Sequence, residues 1–145
     1  MKKLIGVDPG KTTGICIYNE DGTPDTFGQL TIPEMVEFTN TYPEEVAMIV
    51  VEDYVLFKRR AMQQAGSRLH ASQVIGMMEV LAAKKGAKLI KQPADRKLDG
   101  EKLSGVHPPS NHADSHWIDA KNHLFFRMHE MGLVMSVLEQ ERLGK

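Results

Sequence analysis

Apolar and polar residues follow two patterns along this chain, which together predict five strands and three helices. Short β-prone runs that end at glycine, proline or an Asp-Gly turn are typical of strands, and they occur at residues 3–7, 14–18, 26–31, 46–51 and 87–91. Segments of helix formers, with apolar residues three or four positions apart, are typical of amphipathic helices. We predict such helices at residues 33–40, 60–85 and 111–131.

The order of these elements predicts an α/β fold with a mixed five-stranded sheet. The first three strands follow one another through short turns, so we expect them to pair antiparallel. Residues 46–51 are apolar throughout, which is typical of a central strand buried on both faces. Residues 92–109 are polar and rich in glycine and proline, and they predict a mobile loop. Three strands followed by alternating helices and strands indicate a sheet with helices on both faces.

Length and composition are those of an ordinary globular protein. The 145 residues suit a single domain, 1–145, and no repeat or linker divides them. No apolar run is long enough to cross a bilayer, and the N-terminus turns polar too soon for a secretory signal, so we expect a cytoplasmic protein. The lone Cys16 lies in an apolar stretch and is expected to be an inert buried thiol.

Charge is distributed very unevenly. The net charge is −1, yet residues 54–97 contain ten Lys or Arg and two acids, a net charge of +8 that leaves −9 for the remainder. Such asymmetry suits a polyanion partner such as DNA. A solvated helix surface with incidental lysines would give the same count, so the charge needs support from the chemistry of a site.

Three acids occupy positions where a side chain emerges from a regular element. Asp8 ends the first strand, Glu52 ends the apolar central strand, and Asp119 lies in the last helix. If the first and fourth strands are parallel neighbours, Asp8 and Glu52 lie side by side and repel one another unless a cation lies between them. Hard carboxylate ligands favour Mg²⁺ or Mn²⁺, and a third acid would complete an open metal site.

The last helix also carries a histidine stripe. At about 100° per residue, His112, His116, Asp119 and His123 fall within roughly 60° of one another. The neighbouring apolar face is expected to dock on the core, and it consists of Ala113, Trp117, Ala120, Leu124 and Met131. Asp119 borders that face whereas Asp114 points away, so Asp119 is the preferred ligand. A histidine stripe alone is more often incidental than ligating, and the roles of His112 and His123 stay open.

The turn after the first strand has a second interpretation. Asp8-Pro9-Gly10, followed by Thr12, Thr13 and Gly14, is a type of turn that also cradles nucleotide phosphates in actin-like and sugar-kinase folds. Such proteins need a second domain to close over the nucleotide, and 145 residues leave no room for one. The turn is not a P-loop either, because the required upstream glycines are missing.

With these residues located, the chain resembles the RuvC-type Holliday junction resolvases, in particular the small bacteriophage members. The resemblance extends from Leu4 to about Met128, and its landmarks are residues 5–10 with Thr13 and Gly14, residues 50–55, residues 92–94 with Lys97, and residues 116–120 with His123. It implies an RNase H-like fold, a homodimer that addresses two DNA strands symmetrically, and hydrolysis of phosphodiesters with two divalent ions. The products would carry a 5′-phosphate and a 3′-hydroxyl.

The resemblance also implies roles for individual residues. Asp8, Glu52 and Asp119 match the metal-binding acids; Asp8 would bridge two ions and the other two would each hold one. His116 departs from the pattern, because another carboxylate often stands there, and we interpret it as a ligand or proton-transfer group. Basic residues expected to hold DNA phosphates are Lys58, Arg59, Arg60, Lys91, Arg96 and Lys97. Tyr54 and Val55 fall where relatives place an aromatic junction wedge, and the candidates for that role are Tyr54 and Phe57, although core packing explains either at least as well.

Together these observations predict a metal-dependent endonuclease that cleaves Holliday junctions or other branched DNA, recognising shape more than base sequence. We expect the dimer to form on helix 60–85, where apolar surface is offered by Val74, Met77, Met78 and Leu81. Two alternatives remain open at this point: a branched-DNA binding protein without catalysis, and an actin-like nucleotide-binding remnant.

Overall fold

The computed structural model describes residues 1–53, 61–109 and 115–144. Several predictions therefore concern residues outside the described part of the chain. The wedge candidates among them are Tyr54 and Phe57, and the basic residues are Lys58, Arg59 and Arg60. His112 and Asp114, before the last helix, also lie outside the described residues.

Five strands form one mixed sheet. They are β1 (Lys3–Asp8), β2 (Thr12–Asn19), β3 (Pro24–Thr31), β4 (Val46–Glu52) and β5 (Lys88–Gln92), in the spatial order β3-β2-β1-β4-β5. The first three strands pair antiparallel, whereas β1 pairs parallel with β4 and β4 pairs parallel with β5. The predicted sheet is confirmed, and each predicted strand lies within about two residues of its observed bounds.

Five helices belong to the described residues: α1 (Ile32–Thr41), α2 (Ala61–Lys85), α3 (Arg96–Ser104), α4 (His116–Glu130) and α5 (Val137–Arg142). The prediction of a loop at residues 92–109 is wrong, because α3 lies within it. Its sequence has no clear apolar stripe; it docks through Gly100, where a Cβ would overlap the backbone of Asn122 in α4. Helix α5 was also missed, although the capping box of Ser136 and Glu139 that starts it is a recognised start signal.

Side-chain alternation along the strands creates a separate core on each face of the sheet. Ile5 and Val7 face one core together with α1 and α2. Leu4, Met48 and Val50 face the other core, against α4. Helices therefore cover both faces of the sheet, as predicted. None of the helices in residues 1–53, 61–109 and 115–144 is both long enough and apolar enough to cross a membrane.

Two expectations about apolar residues have opposite outcomes. Cys16 is buried, and this burial raises the pKa of its thiol to about 12, so the inert thiol is confirmed. The predicted dimer surface on α2 is wrong for the residues named. Val74, Met78 and Leu81 are each 0% exposed in the core, and Met77 packs against the same core. The apolar stripe of α2 packs on its own sheet, so these buried residues do not offer the surface expected for a dimer.

Candidate active site

Asp8 and Glu52 lie side by side at the carboxyl ends of β1 and β4. The two strands are parallel and pair Val7 with Val51, so the next residue of each strand is adjacent as well. Alternation places both acids on the α4 face of the sheet. The strand-end argument made from the sequence is therefore correct in its geometry.

Helix α4 reaches these strand ends because two glycines allow its backbone close to the sheet. A Cβ at Gly6 or at Gly14 would overlap the α4 backbone. The His116 N–H donates to the side-chain oxygen of Gln29 at 3.1 Å, and His116 Nδ1 lies 3.1 Å from Asp8 Oδ2. The first turn of α4 is thus held directly over the acids of the sheet.

Lys97, near the start of α3, places its ammonium group between the remaining acids. Its Nζ lies 3.7 Å from Glu52 Oε1 and 3.9 Å from Asp119 Oδ2. Asp8, Glu52 and Asp119, which we call the acid cluster, therefore meet at one place. The structure brings the four predicted site residues together, His116 included; their roles as ligands or catalytic groups stay a prediction.

The pKa values of the paired carboxyl groups of Asp8 and Glu52 shift in opposite directions. Burial, and after it the neighbouring Glu52 carboxylate, raises the pKa of Asp8 to about 6 despite its hydrogen bond with His116. Burial would also raise the pKa of Glu52, but the side chains of His123 and Asp8 and the charge of Lys97 outweigh burial and lower the Glu52 pKa to about 2. Asp8 is therefore protonated beside ionised Glu52 below about pH 6, and both carboxyl groups are charged above it.

The other members of the site show the same excess of negative charge. The hydrogen bond with Asp8 raises the pKa of His116 despite partial burial. Burial raises the pKa of Asp119, although Lys97 opposes that shift. Burial would lower the pKa of Lys97, but the acid cluster outweighs burial and raises it. The acids of the site therefore favour the charged forms of both Lys97 and His116.

The donor atoms of the acid cluster fit a divalent cation. Carboxylate oxygens are the ligands that Mg²⁺ and Mn²⁺ prefer. A bound cation would also offset the burial and the neighbouring carboxylates that raise the pKa of Asp8. As the side chains now stand, no three His, Cys, Asp or Glu groups of the described residues are arranged to hold one ion. Lys97 lies between Glu52 and Asp119, so its ammonium would compete with an ion held by either acid.

Comparison with known proteins assigns the fold. No family model matches the chain, and no curated protein matches it. A solved structure of Thermus thermophilus RuvC in complex with a Holliday junction substrate is 13% identical, with a TM-score of 0.59 over 94% of this chain and 100% of that chain. A second Thermus thermophilus RuvC structure is 13% identical, with a TM-score of 0.61 over 93% of this chain and 99% of that chain.

This chain has the RuvC fold. The RNase H-like architecture predicted from the sequence is thereby confirmed. Similarity over nearly the whole length of both chains also agrees with the strand order and the mixed pairing of the sheet.

The predicted DNA contacts separate into different places on this RuvC fold. Lys97 belongs to the acid cluster. Arg96 is paired with Asp99 at 3.1 Å and lies 5.5 Å from the centre of the Phe126 ring. Lys91 is paired with Glu79 of α2 at 2.6 Å, on the face of the sheet opposite to the acids. The structure brings only Lys97 of these three to the acids.

Sequence reasoning missed a buried polar group behind Glu52. Gln92 is 0% exposed and contacts both His123 and Arg127. The signal that located Asp8 and Glu52 was available here too, because Gln92 is the polar residue that ends β5. An amide side chain indicates catalytic chemistry less strongly than an acid does, so the sequence did not predict a role for the Gln92 side chain.

A pH dependence of stability follows from the Asp8 pKa. In the folded protein it is raised from 3.8 to about 6, so the folded state holds a proton that the unfolded state has lost. This contribution is complete below the unfolded pKa and disappears as the pH rises through about 6. With EDTA present, we expect the free energy of unfolding to fall by about 1 kcal/mol between roughly pH 5 and pH 8. Urea titrations would measure it.

The Asp8→Asn variant supplies the control for this dependence. Other groups titrate in both proteins, so the difference between the two stability profiles isolates Asp8 with its partner His116, whose raised pKa acts in the same direction. We expect the variant to be relatively more stable near pH 8 than near pH 5. Parallel profiles for the two proteins would contradict the raised pKa.

Proposed function

We propose that this chain is a divalent-metal-dependent endonuclease that cleaves Holliday junctions or other branched DNA. The observation that carries the proposal is the meeting of Asp8, Glu52 and Asp119 at one end of a RuvC-fold sheet, with the Lys97 ammonium between two of them. The RuvC of one similar structure is bound to a Holliday junction substrate, which supports branched DNA as the substrate class.

Each residue of the site has a separate role in the proposed reaction. Asp8, which neighbours Glu52 and contacts His116, would contact two ions, while Glu52 and Asp119 would each hold one of them. Such ions, Mg²⁺ or Mn²⁺, supply positive charge at the attacking and leaving oxygens of the phosphodiester. His116 holds a proton close to Asp8 Oδ2, and its side chain is 38% exposed, so it can exchange that proton at the site entrance.

Lys97 would exchange one anionic partner for another during the reaction. In the absence of metal its ammonium neutralises Glu52 and Asp119. When an ion replaces it there, the same ammonium is free to contact a DNA phosphate at the site. Lys97 therefore competes with metal for the acids and then assists in holding the substrate.

The Lys97→Met variant tests this double role. We expect Mn²⁺ to bind about threefold to tenfold more tightly, because the ion no longer displaces an ammonium from Glu52 and Asp119. Cleavage should fall by about 10²-fold, because the phosphate loses a charged partner. Calorimetric titration with Mn²⁺ and single-turnover cleavage would measure the two effects. Lys102→Met, an exposed lysine of the same helix, is the control; weaker Mn²⁺ binding by Lys97→Met would contradict the competition.

Symmetric incision of a four-way junction requires two active sites, and we therefore propose a homodimer as the functional form. Its interface does not use the buried residues Val74, Met78 and Leu81. Sedimentation of the protein alone and with a four-way junction would give the stoichiometry. A single chain bound per junction would contradict the homodimer.

The direct test of the function compares labelled DNA substrates in different metals. Wild-type protein is incubated with a four-way junction, a fork and a linear duplex of the same sequence, in Mg²⁺, Mn²⁺ or EDTA. We expect cleavage of the branched substrates in Mg²⁺ or Mn²⁺ and none in EDTA, with Asp119→Asn as the inactive control. Binding to junctions without cleavage in either metal would instead indicate a branched-DNA binding protein. ATP binding with indifference to DNA would indicate an actin-like remnant.

A further inference from the structure

A buried chain of polar groups runs from the surface of α4 to Glu52. Arg127 Nε donates to Gln92 Oε1 at 2.7 Å. Gln92 Nε2 contacts His123 Nδ1 at 2.8 Å and donates to the His123 carbonyl oxygen at 3.1 Å. The other ring nitrogen, His123 Nε2, lies 3.6 Å from Glu52 Oε1. Gln92 and His123, the two middle members of this series, are both 0% exposed and so lie in the protein interior.

The hydrogen-bond pattern fixes the orientation of the Gln92 amide. Arg127 can only donate, so the Gln92 atom facing it must be the acceptor oxygen. The amide nitrogen then faces the carbonyl oxygen of His123, which can only accept. If the amide were flipped, the Gln92 NH₂ group would face the Arg127 N–H, and two donors would meet. The Gln92 oxygen would then face the His123 carbonyl oxygen, and two acceptors would meet. Two independent contacts therefore select one orientation.

The orientation of the amide in turn selects the tautomer of His123. Because Gln92 presents an N–H group to His123 Nδ1, that nitrogen must accept and so carries no proton. The proton of the neutral ring is therefore on Nε2, the atom that faces Glu52. His123 Nε2 is buried and has no hydrogen-bond partner within the described residues. A buried N–H without an acceptor costs free energy, so a hydrogen bond from His123 Nε2 to Glu52 Oε1 would be favourable.

We infer that His123 is a positioning residue for Glu52, held by Gln92 and Arg127 as an Nε2–H donor rather than as a metal ligand. A ligating imidazole needs a lone pair on the nitrogen that faces the ion, and here that nitrogen carries the proton. A shift of Glu52 by about half an ångström completes the hydrogen bond. The donor then restrains one carboxylate oxygen and leaves the other for a metal ion. The inference rests on the proposed function only in assigning Glu52 to a metal.

Two amide variants of His123 separate a donor to Glu52 from a merely structural residue. In His123→Asn the amide group lies near the position of Nδ1, so an acceptor for Gln92 is retained and the donor to Glu52 is lost. In His123→Gln the longer side chain carries an N–H group near the position of Nε2, so the donor to Glu52 is retained. The two variants therefore keep opposite ends of the same contact chain.

The expected result is a difference in metal affinity between these variants. Mn²⁺ binding, measured by calorimetry, should weaken by about tenfold in His123→Asn and stay within about threefold of wild type in His123→Gln. If His123 served only to satisfy Gln92, His123→Asn would bind Mn²⁺ as well as His123→Gln or better, which would overturn the inference. Thermal unfolding of each variant identifies the temperature range in which the comparison holds.

The tautomer itself can be measured on the wild-type protein without any cleavage assay. With nitrogen-15-labelled histidine, we expect His123 to show a protonated, pyrrole-like Nε2 and a pyridine-like Nδ1, and to keep them when Mg²⁺ is added. The two ring signals of His123 are assigned as those that are missing from the spectrum of the His123→Asn variant. A protonated Nδ1, or an Nε2 that loses its proton on adding Mg²⁺, overturns the inference even if the protein cleaves DNA. The expected spectrum in a protein that cleaves no DNA would overturn only the proposed function.

Discussion

Replacing Asp8 by Asn is expected to reduce metal-dependent cleavage of a four-way junction by at least ~10³-fold. Asp8 is the acid that neighbours both Glu52 and His116, and in the proposed function it would contact two ions, a role that no neighbouring carboxylate could take over. The amide preserves the shape of the side chain and removes its charge. Junction binding should stay close to that of wild type, because the substitution leaves every Lys and Arg of the chain unchanged. Cleavage rates and binding isotherms at one salt concentration would measure the two effects.

Stability provides the internal control for this variant. The Asp8 carboxyl group is buried beside Glu52, and removing its charge should leave the metal-free protein at least as stable as wild type near neutral pH. Lost cleavage therefore cannot be attributed to unfolding. Asp95→Asn changes an exposed acid that caps no helix through its side chain, and it should cleave normally. Residual cleavage above about one tenth of wild type in Asp8→Asn would contradict a metal-binding role for Asp8.

Much of the candidate site could be predicted from the sequence, because parallel strands place their carboxyl ends together. The apolar run that ends at Glu52 and the shorter one that ends at Asp8 each predicted a strand, and both strands end at the same edge of the sheet. Helical periodicity then placed His116 and Asp119 on one stripe, which the structure directs at those strand ends. Local periodicity was sufficient here because each acid lies within or directly at the end of a regular element.

The parts that could not be predicted depend on contacts between distant segments. Helix α3 has a polar sequence without a clear apolar stripe, so nothing local distinguished it from a loop, and the docking of Gly100 on α4 becomes visible only in three dimensions. The proximity of Lys97 to two acids depends on that docking. The apolar stripe of α2 was visible in the sequence, but the pattern does not say whether a helix docks on its own sheet or on a second chain.

The hydrogen-bonded series from Arg127 through Gln92 to His123 also depends on contacts between distant segments, which the sequence could not predict. His123 was noticed as a member of the α4 stripe, yet the stripe could not distinguish a ligand from a donor. That distinction requires the partner of the other ring nitrogen, and the partner, Gln92, belongs to a strand 31 residues earlier in the chain. Tautomers are determined by tertiary contacts, so they are beyond the information in a periodic pattern.

The site also depends on how closely α4 can approach the sheet, and glycine determines that distance. At Gly6 the helix backbone lies where a side chain would otherwise be, and at Gly14 the same is true beside the first turn. The contact at Gly14 is the nearer of the two to the acid cluster, because it lies beside the helix turn that places His116 next to Asp8 and Asp119 next to Lys97. A methyl group at Gly14 should therefore affect stability and function together.

The Gly14→Ala variant is expected to lose more than about 3 kcal/mol of unfolding free energy and most metal-dependent cleavage. The new Cβ would overlap the His116 carbonyl group, and backbone atoms held in a helix cannot move aside as a flexible side chain can. Chemical denaturation and single-turnover cleavage measure the two losses. Gly28→Ala on the adjacent strand is the matched control, because its Cβ meets nothing within 4 Å, and it should change stability by less than about 1 kcal/mol. Equal stabilities for the two variants would mean that α4 does not need this close approach.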